Sequence, residues 1–548
     1  MNQIETALKD TIAKEVLALY NLTLSHEQII VEIPREKNHG DYSTNIAMRL
    51  AKQIGKNPRD IAAALAERFL AHTDIIRSVE VAGPGFLNFT LVKTALADVI
   101  TLVLSQGDDY GNSSAGQGKK VNLEYVSANP TGDLHPGHAR GAAAGDSVAR
   151  LQKRAGYEVC REYYLNDAGN QINNMAASLY ARYQQQFGLE ALLPEDGYYG
   201  ADLIAIAASL KQEVGESLLD IDKEEALKVC KAYGLKAEKE KLEEDLKLFR
   251  VEFDVWSSEQ SLYDQGLVEE ALKALRQRDK TYESEGALWL KTTEYGDDKD
   301  RVLRKSDGSY TYLVPDIAYH VQKFERGFTQ LVNFWGADHH GYIKRLKASL
   351  AALGHNPDIL EVDIIQMVRM IKDQAEFKLS KRSGKALSLK DLIEEAGVDA
   401  LRYFFASRQC DTHMDLDLDL ATKESSENPV YYAQYAHARM CSILKAADQL
   451  AKPQDYERLT HDKEILLLKQ LALFPNLVAD CARERTPHRI CTYIQKLAAD
   501  FHSFYGECKV LDPNDPELSS QRSDLVRAVR ITLKNALDCI GVSAPEMM

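Results

Sequence analysis

Between Lys119 and Tyr164 the chain alternates its periodicity in a way that few folds can accommodate. Val121-Asn122-Leu123-Glu124-Tyr125 reads as a strand, and a turn rich in small residues follows. A helix then runs from about His138 through Ala142-Ala143-Ala144 to Arg154, and Glu158–Tyr164 is a second strand. Strand, helix and strand in this order make a βαβ unit and so a parallel sheet. Strand character returns over residues 286–314, and Gln330–Trp335 is a further strand leading into Gly336-Ala337-Asp338.

Other patterns flank this core. Residues 5–20, 58–70 and 94–105 have helical spacing, whereas Ile29–Ile33 and Phe86–Leu91 alternate like strands. Residues 1–110 therefore form a small α+β unit, joined by a Gly/Ser/Asp-rich linker over Gly107–Gly118. The central unit spans 119–425 and carries a helical insertion at about 172–250. From 426 to 548 the pattern is almost wholly helical, with amphipathic stretches at 488–508 and 521–540, which predicts a bundle. A length of 548 residues suits this division into three.

Composition removes several classes. Hydrophobic content of 45% and charged content of 27% exclude a disordered chain. No apolar run approaches the ~18 residues of a membrane helix, and the polar, acidic start does not resemble a signal peptide. Eight cysteines without a C-x-x-C pair predict buried thiols, no zinc site and a cytoplasmic location. The net charge of −15 argues against a nonspecific nucleic-acid coat but leaves room for a local RNA-binding surface.

Two strings carry chemistry. In Ser127-Ala128-Asn129-Pro130-Thr131-Gly132-Asp133-Leu134-His135-Pro136-Gly137-His138, two histidines stand where a strand hands over to a helix rich in small residues. Free N–H groups and the helix dipole there attract phosphate, and imidazoles beside them can donate to its oxygens. Gly137 would let a nucleotide approach the backbone. Helix-capping histidines are the alternative. The second string is Phe377-Lys378-Leu379-Ser380-Lys381-Arg382-Ser383-Gly384-Lys385. Between Arg369 and Lys390 stand seven basic and two acidic residues, a local exception in an acidic chain. Lys378 and Lys381 can neutralise a polyphosphate; a solvated basic loop is the other reading.

Together the strings resemble the HIGH and KMSKS signatures of class I aminoacyl-tRNA synthetases, in the right order. Pro136 replaces the usual Ile, Leu379 the usual Met and Arg382 the last Ser. Gly336-Ala337-Asp338 resembles the turn that reaches adenosine in this class. Further strings narrow the resemblance to the arginyl-tRNA synthetase family along essentially the whole chain. These are His39–Asn45, Gly83–Phe89, Glu162–Gln171, Asp399-Ala400-Leu401-Arg402, Asn428–Arg439 and Phe501–Tyr505.

The resemblance implies a doubly wound parallel nucleotide-binding sheet, an N-terminal additional domain at the tRNA elbow and a C-terminal anticodon-binding bundle. It implies catalysis by His135, His138, Lys378 and Lys381. ATP, brought in with Mg²⁺, would contact Pro136, Gly137, Gly336, Asp338, Lys378, Ser380 and Lys381. Arginine would be held by Glu124, Asn129, Tyr312, Asp316 and His339. Carboxylates and an aromatic wall suit a planar, permanently charged guanidinium with five donors. Asp338-His339-His340 departs from the family at the position of a pocket glutamine. Taken alone, Glu124 fits equally a salt bridge to Lys119 or Arg140, and Tyr312 fits core packing. Phe86, Asn88, Tyr432, Tyr435 and Met548 match tRNA-contacting positions, although Met547 stands where the family has Arg. The two tyrosines also fit a buried stripe.

The expected activity is ligation of arginine to its tRNA by a monomer, through an adenylate. Another class I synthetase, a small nucleotidyltransferase and a non-catalytic RNA-binding paralogue are the competing readings. Glu124, Asp316, the helical C-terminal region and the intact signature strings argue against them in turn.

Overall fold

Short alternating segments near the N-terminus pair into a small sheet because helices cover one face of it. The structure is a computed structural model that describes residues 3–32, 34, 39–377 and 387–548. Strands β1 (Val31–Glu32), β2 (Tyr42–Thr44), β3 (Ile76–Ala82) and β4 (Phe86–Leu91) form an antiparallel sheet in the order β1-β2-β4-β3. Helices α1 (Gln3–Tyr20), α2 (Ile46–Ile54) and α3 (Pro58–Phe69) pack against it. Helix α4 (Lys93–Gln106) leads out of this unit.

The central unit opens with β5 (Lys120–Glu124), α5 (Pro136–Arg154) and β6 (Glu158–Leu165). The insertion follows as α6 (Asn170–Gln185), α7 (Ala201–Val214) and α8 (Lys223–Leu248), around a core of its own with Leu179, Tyr183, Leu210 and Cys230. Next come β7 (Val255–Ser258), α9 (Glu259–Asp264), α10 (Leu267–Gln277) and an antiparallel meander of β8 (Thr281–Ser284), β9 (Ala287–Leu290) and β10 (Arg301–Arg304). Then α11 (Leu313–Glu325), β11 (Gln330–Gly336), α12 (Tyr342–Ala352) and β12 (Leu360–Ile365) complete the main sheet. Its order is β12-β11-β5-β6-β7, every pair parallel. The chain starts in the middle, winds outward one way and returns to the other side of β5. The winding reverses between β5 and β11, and the carboxyl ends of such neighbours frame a ligand crevice. Asn333 lies in register with Glu124 there.

Beyond the sheet, β13 (Val368–Lys372) pairs with β14 (Ala375–Glu376) and β15 (Met414–Asp417), alongside α13 (Leu389–Ala396), α14 (Val398–Ala406) and α15 (Leu418–Ala421). A bundle of α16 (Pro429–Ala446), α17 (Asp462–Glu484), α18 (His488–Glu507) and α19 (Pro516–Cys539) closes the chain. Three of the helices begin at an Asn-Pro or Asp-Pro pair. Asn57, Asn428 and Asp515 each accept a backbone N–H of the first turn, and the proline after each has no donor to leave unpaired.

The linker expected over residues 107–118 is not a free tether. Pro475 lies inside α17 and has no N–H for the carbonyl of Leu471 four residues back. The hydroxyl of buried Tyr110 donates to that carbonyl at 2.6 Å. One continuous core runs from Leu8 and Ile12 through Val103 to Leu471 and Leu533, so the N-terminal unit and the bundle share an interior. Helix α17 is long and apolar enough to cross a membrane, yet Leu467, Leu468, Leu471 and Phe474 are buried in that core.

Helix α5 is the hub. Gly145 packs so close to the Tyr125 ring that a Cβ there would lie 2.3 Å from it, which explains the run of small residues. Fully buried Arg402 of α14 pairs with Asp146 of α5 at 2.5 Å and donates to the carbonyls of Phe249 and Ile540. It thereby ties the bundle end, the insertion and the central sheet to one helix. All eight cysteines are free; Cys160 and Cys410 are half-buried and the others buried.

Candidate active site

The turn after β5 delivers two imidazoles to the N-terminus of α5. Pro136 takes the first helical position, two residues earlier than the sequence pattern places the start, and His135 is the N-cap. Nδ1 of His135 accepts the N–H of Gly137 at 3.1 Å, and Nδ1 of His138 accepts the N–H of His135 at 3.3 Å. The rings stack with centroids 3.6 Å apart. Capping and function are therefore not alternatives. Because each Nδ1 accepts, each ring carries its hydrogen on Nε2, where it can be donated to a ligand. Burial pushes both pKa values down, that of His138 to about 3, so both rings are neutral donors. Gly137 has a nearer reason than nucleotide approach: a Cβ there would meet the His135 ring at 2.9 Å.

Behind this turn lies a pocket with more carboxylates than cations. Glu124 ends β5, and its Oε2 accepts from Nζ of Lys323 at 2.6 Å. Its partner is neither Lys119 nor Arg140, as the local sequence suggested, but a fully buried lysine of α11. Asp316 stands in the first turn of α11, and Oδ2 accepts from the hydroxyl of Tyr342 at 2.5 Å. Burial, then the charges of Glu124 and Glu259, push the Asp316 carboxyl up to about 7, against the pull of the Tyr342 hydrogen bond and of Lys323. Buried Glu259 opens α9 and is also raised, by desolvation first and the charge of Asp167 in part. Neither Asp316 nor Glu259 is ion-paired among the described residues, and a bound guanidinium would supply the missing positive charge. Glu259, Lys323 and Tyr342 were not found from the sequence. Each sits in an ordinary amphipathic helix, and nothing local distinguishes it.

The other predicted residues lie around this crevice. Tyr312 precedes α11 and is 75% exposed, so it is not a core residue. Asn129 is exposed and donates to Gln171 at 2.8 Å. Gly336 ends β11; Asp338 and His339 follow in a short 3-10 turn, exposed and 3.4 Å apart as a pair. Lys378, Ser380 and Lys381 lie outside the described residues. The segment after them begins beside the histidines, where the N–H of Leu389 donates to the carbonyl of Leu134 at 2.6 Å. Among the described residues no group of three His, Cys, Asp or Glu side chains is arranged to hold a metal ion.

The residues predicted to meet RNA fall on two surfaces. Phe86 is exposed at the start of β4, whereas Asn88 is buried between Ser43 and Glu80, its amide nitrogen unpartnered. On the bundle, Tyr435 is exposed and lies parallel to Tyr431 with centroids 6.5 Å apart. Tyr432 is half-buried against His502, their centroids 4.8 Å apart. Arg439 donates to the Tyr505 hydroxyl on the same face. Met547 and Met548 are exposed at the chain end, which is held against α16 by Gln434 donating to the Ser543 carbonyl.

Three family models match successive stretches of the chain. Residues 2–91 match the arginyl tRNA synthetase N terminal domain, 99–440 the class I (R) tRNA synthetase catalytic domain and 433–548 the DALR anticodon binding domain. An arginine–tRNA ligase of Bacillus cereus (strain ATCC 10987 / NRS 248) is 52% identical, over all of both chains. That of Bacillus subtilis (strain 168) is 51% identical, again over all of both. Thermus thermophilus arginyl-tRNA synthetase superposes with a TM-score of 0.75 at 22% identity, covering 99% of this chain and 100% of that one, a likeness of fold. The neutral histidine pair at a helix start, the acid-rich pocket behind it and a match along the full length agree: the chain belongs to the arginyl-tRNA synthetase family, in class I.

Proposed function

We infer that the protein is an arginine–tRNA ligase, which activates arginine with ATP and transfers it to tRNA. The observation that carries the choice of amino acid is a pair of neighbouring carboxylates, Glu124 held by Lys323 and Asp316 by the neutral Tyr342 hydroxyl. A guanidinium offers donors to both at once, and an ammonium cannot span two such acceptors in one plane. Tyr312 supplies the exposed aromatic wall, and Asn129 and His339 hold the amino-acid end.

The arginine carboxylate attacks the α-phosphorus of ATP. A new P–O bond forms as the bond to the β-phosphate oxygen breaks, and pyrophosphate leaves. Nε2–H of His135 and of His138 donates to the charge developing on phosphate, as pre-organised dipoles that need no proton transfer. Lys378 and Lys381 neutralise the departing pyrophosphate, with Ser380 beside them. Gly336 and Asp338 meet adenosine at the end of β11, across the crevice from Pro136 and Gly137. Mg²⁺ enters with ATP as part of the substrate. The terminal ribose hydroxyl of tRNA then attacks the acyl carbon, and AMP leaves. Orientation and charge stabilisation suffice, with no protein nucleophile.

Residues 1–110 serve as the elbow-binding domain through Phe86 and Asn88, 119–425 as the catalytic domain and 426–548 as the anticodon-binding domain through Tyr432, Tyr435 and Met548. A cytoplasmic monomer fits this reading. Arginine-dependent ATP–pyrophosphate exchange, with and without tRNA, tests it. Exchange and tRNA charging that require arginine support it; equal activity with lysine refutes the pocket.

A further inference from the structure

Glu124 and Asp316 each have one oxygen already taken, the first by buried Lys323 and the second by half-buried Tyr342. Oε2 of Glu124 accepts from Lys323 at 2.6 Å, and Oδ2 of Asp316 accepts from Tyr342 at 2.5 Å. Oε1 of Glu124 accepts the Ser127 hydroxyl at 3.2 Å, a long contact that leaves this oxygen able to take a second donor.

The donors are themselves held. Lys323 is wholly buried, with Nζ over the Tyr319 ring at 4.2 Å and 3.4 Å from Oδ1 of Asn333. The side-chain nitrogen of Asn333 is 2.9 Å from Nε2 of His320, and Nδ1 of His320 is 2.8 Å from the carbonyl of Asp316. Only one direction satisfies every link. A carbonyl only accepts, so Nδ1 of His320 donates to Asp316; Nε2 must then accept from the Asn333 amide, whose oxygen is left to face the lysine. A directed chain therefore runs from the backbone of one pocket acid to the side chain of the other. Tyr342 is fixed separately, edge-on to Trp335 with centroids 5.8 Å apart.

We propose that Lys323 and Tyr342 are positioning residues for arginine selection, each pinning one oxygen of a pocket carboxylate so that the carboxylate is held in a fixed orientation for a guanidinium. This rests on the arginine pocket proposed above. Without the pins each carboxylate can rotate, and a flexible acid serves an ammonium as well as a planar fork.

The test is steady-state pyrophosphate exchange by the full-length protein with tRNA present, comparing Lys323→Met, Tyr342→Phe and Glu124→Gln with the double variant Lys323→Met/Glu124→Gln. Expected are KM rises for arginine of about 10-fold for Tyr342→Phe and about 100-fold for Lys323→Met, sizes typical of a lost charge-assisted contact. KM for ATP stays within about twofold, and lysine competes better than before. The loss in the double variant falls well short of the sum of the two single losses, because Lys323 acts mainly through Glu124. An unchanged KM for arginine in folded Tyr342→Phe, or additive losses in the double variant, overturns the proposal. If Lys323→Met does not fold, Tyr342→Phe, which removes a single hydroxyl, decides. A normal KM for arginine in Glu124→Gln would instead remove the pocket itself, and the pins with it.

Discussion

Asp316→Asn should stabilise the protein while damaging its use of arginine. The carboxyl is moved from 3.8 to about 7, with desolvation the largest cause and Glu124 and Glu259 adding to it. Tyr342 and Lys323 oppose the rise without cancelling it. A folded pKa above the unfolded one means that the native state holds a proton the unfolded state has lost. Stability is then fully present below pH ~4, falls as pH rises toward 7 and levels off above it. A shift of about three units, at about 1.36 kcal/mol each, is worth up to about 4 kcal/mol at pH 8. Asparagine keeps an oxygen to accept from Tyr342 and has no proton to lose. Thermal unfolding of both proteins from pH 4.5 to 8.5 should therefore show melting temperatures that diverge up to pH ~7, with the variant several degrees higher beyond it. In the same variant KM for arginine should rise at least 10-fold at pH 8, and KM for ATP should hold. In the unaltered protein KM for arginine should climb as pH drops below about 7, since the guanidinium needs the ionised acid. Parallel melting curves across the whole range would show that Asp316 is not raised, and the charge-deficit argument would fall.

Three other outcomes follow from the geometry. His135→Ala and His138→Ala should each lose about 10²–10³-fold in kcat for adenylate formation, and because both rings are already neutral, kcat should show no break near pH 6.5 attributable to them; such a break, absent from both variants, would contradict the assigned protonation. Arg402→Met leaves buried Asp146 with only the more exposed Arg150 and takes the donor from the carbonyls of Phe249 and Ile540, and it should cost about 3 kcal/mol, read as a lower unfolding midpoint. Tyr435→Ala should weaken tRNA binding by about 1–3 kcal/mol with little change in melting temperature, whereas half-buried Tyr432→Ala should lower both; lost stability with intact affinity would make them structural residues.

What the sequence by itself determined lies close along the chain. The βαβ unit, the strands of residues 86–91 and 330–336 and the helices opened by Asn57-Pro58 and Asn428-Pro429 depend on periodicity and capping within a few residues. His135 and His138 were legible for the same reason, since a helix N-terminus after a strand needs no distant partner to define it. Short β2, with three residues, offers too little alternation to read, and Pro475 argues locally against the helix in which it sits. The tertiary structure alone decided who pairs with whom. Glu124 meets a lysine 199 residues away and Tyr110 caps a carbonyl 361 residues away. Such partners are set by which helices the core brings together, and a buried charge takes whatever counter-charge packing supplies. The same packing desolvates Asp316, an ordinary residue in the sequence, beside Glu124 and Glu259 and so raises its carboxyl.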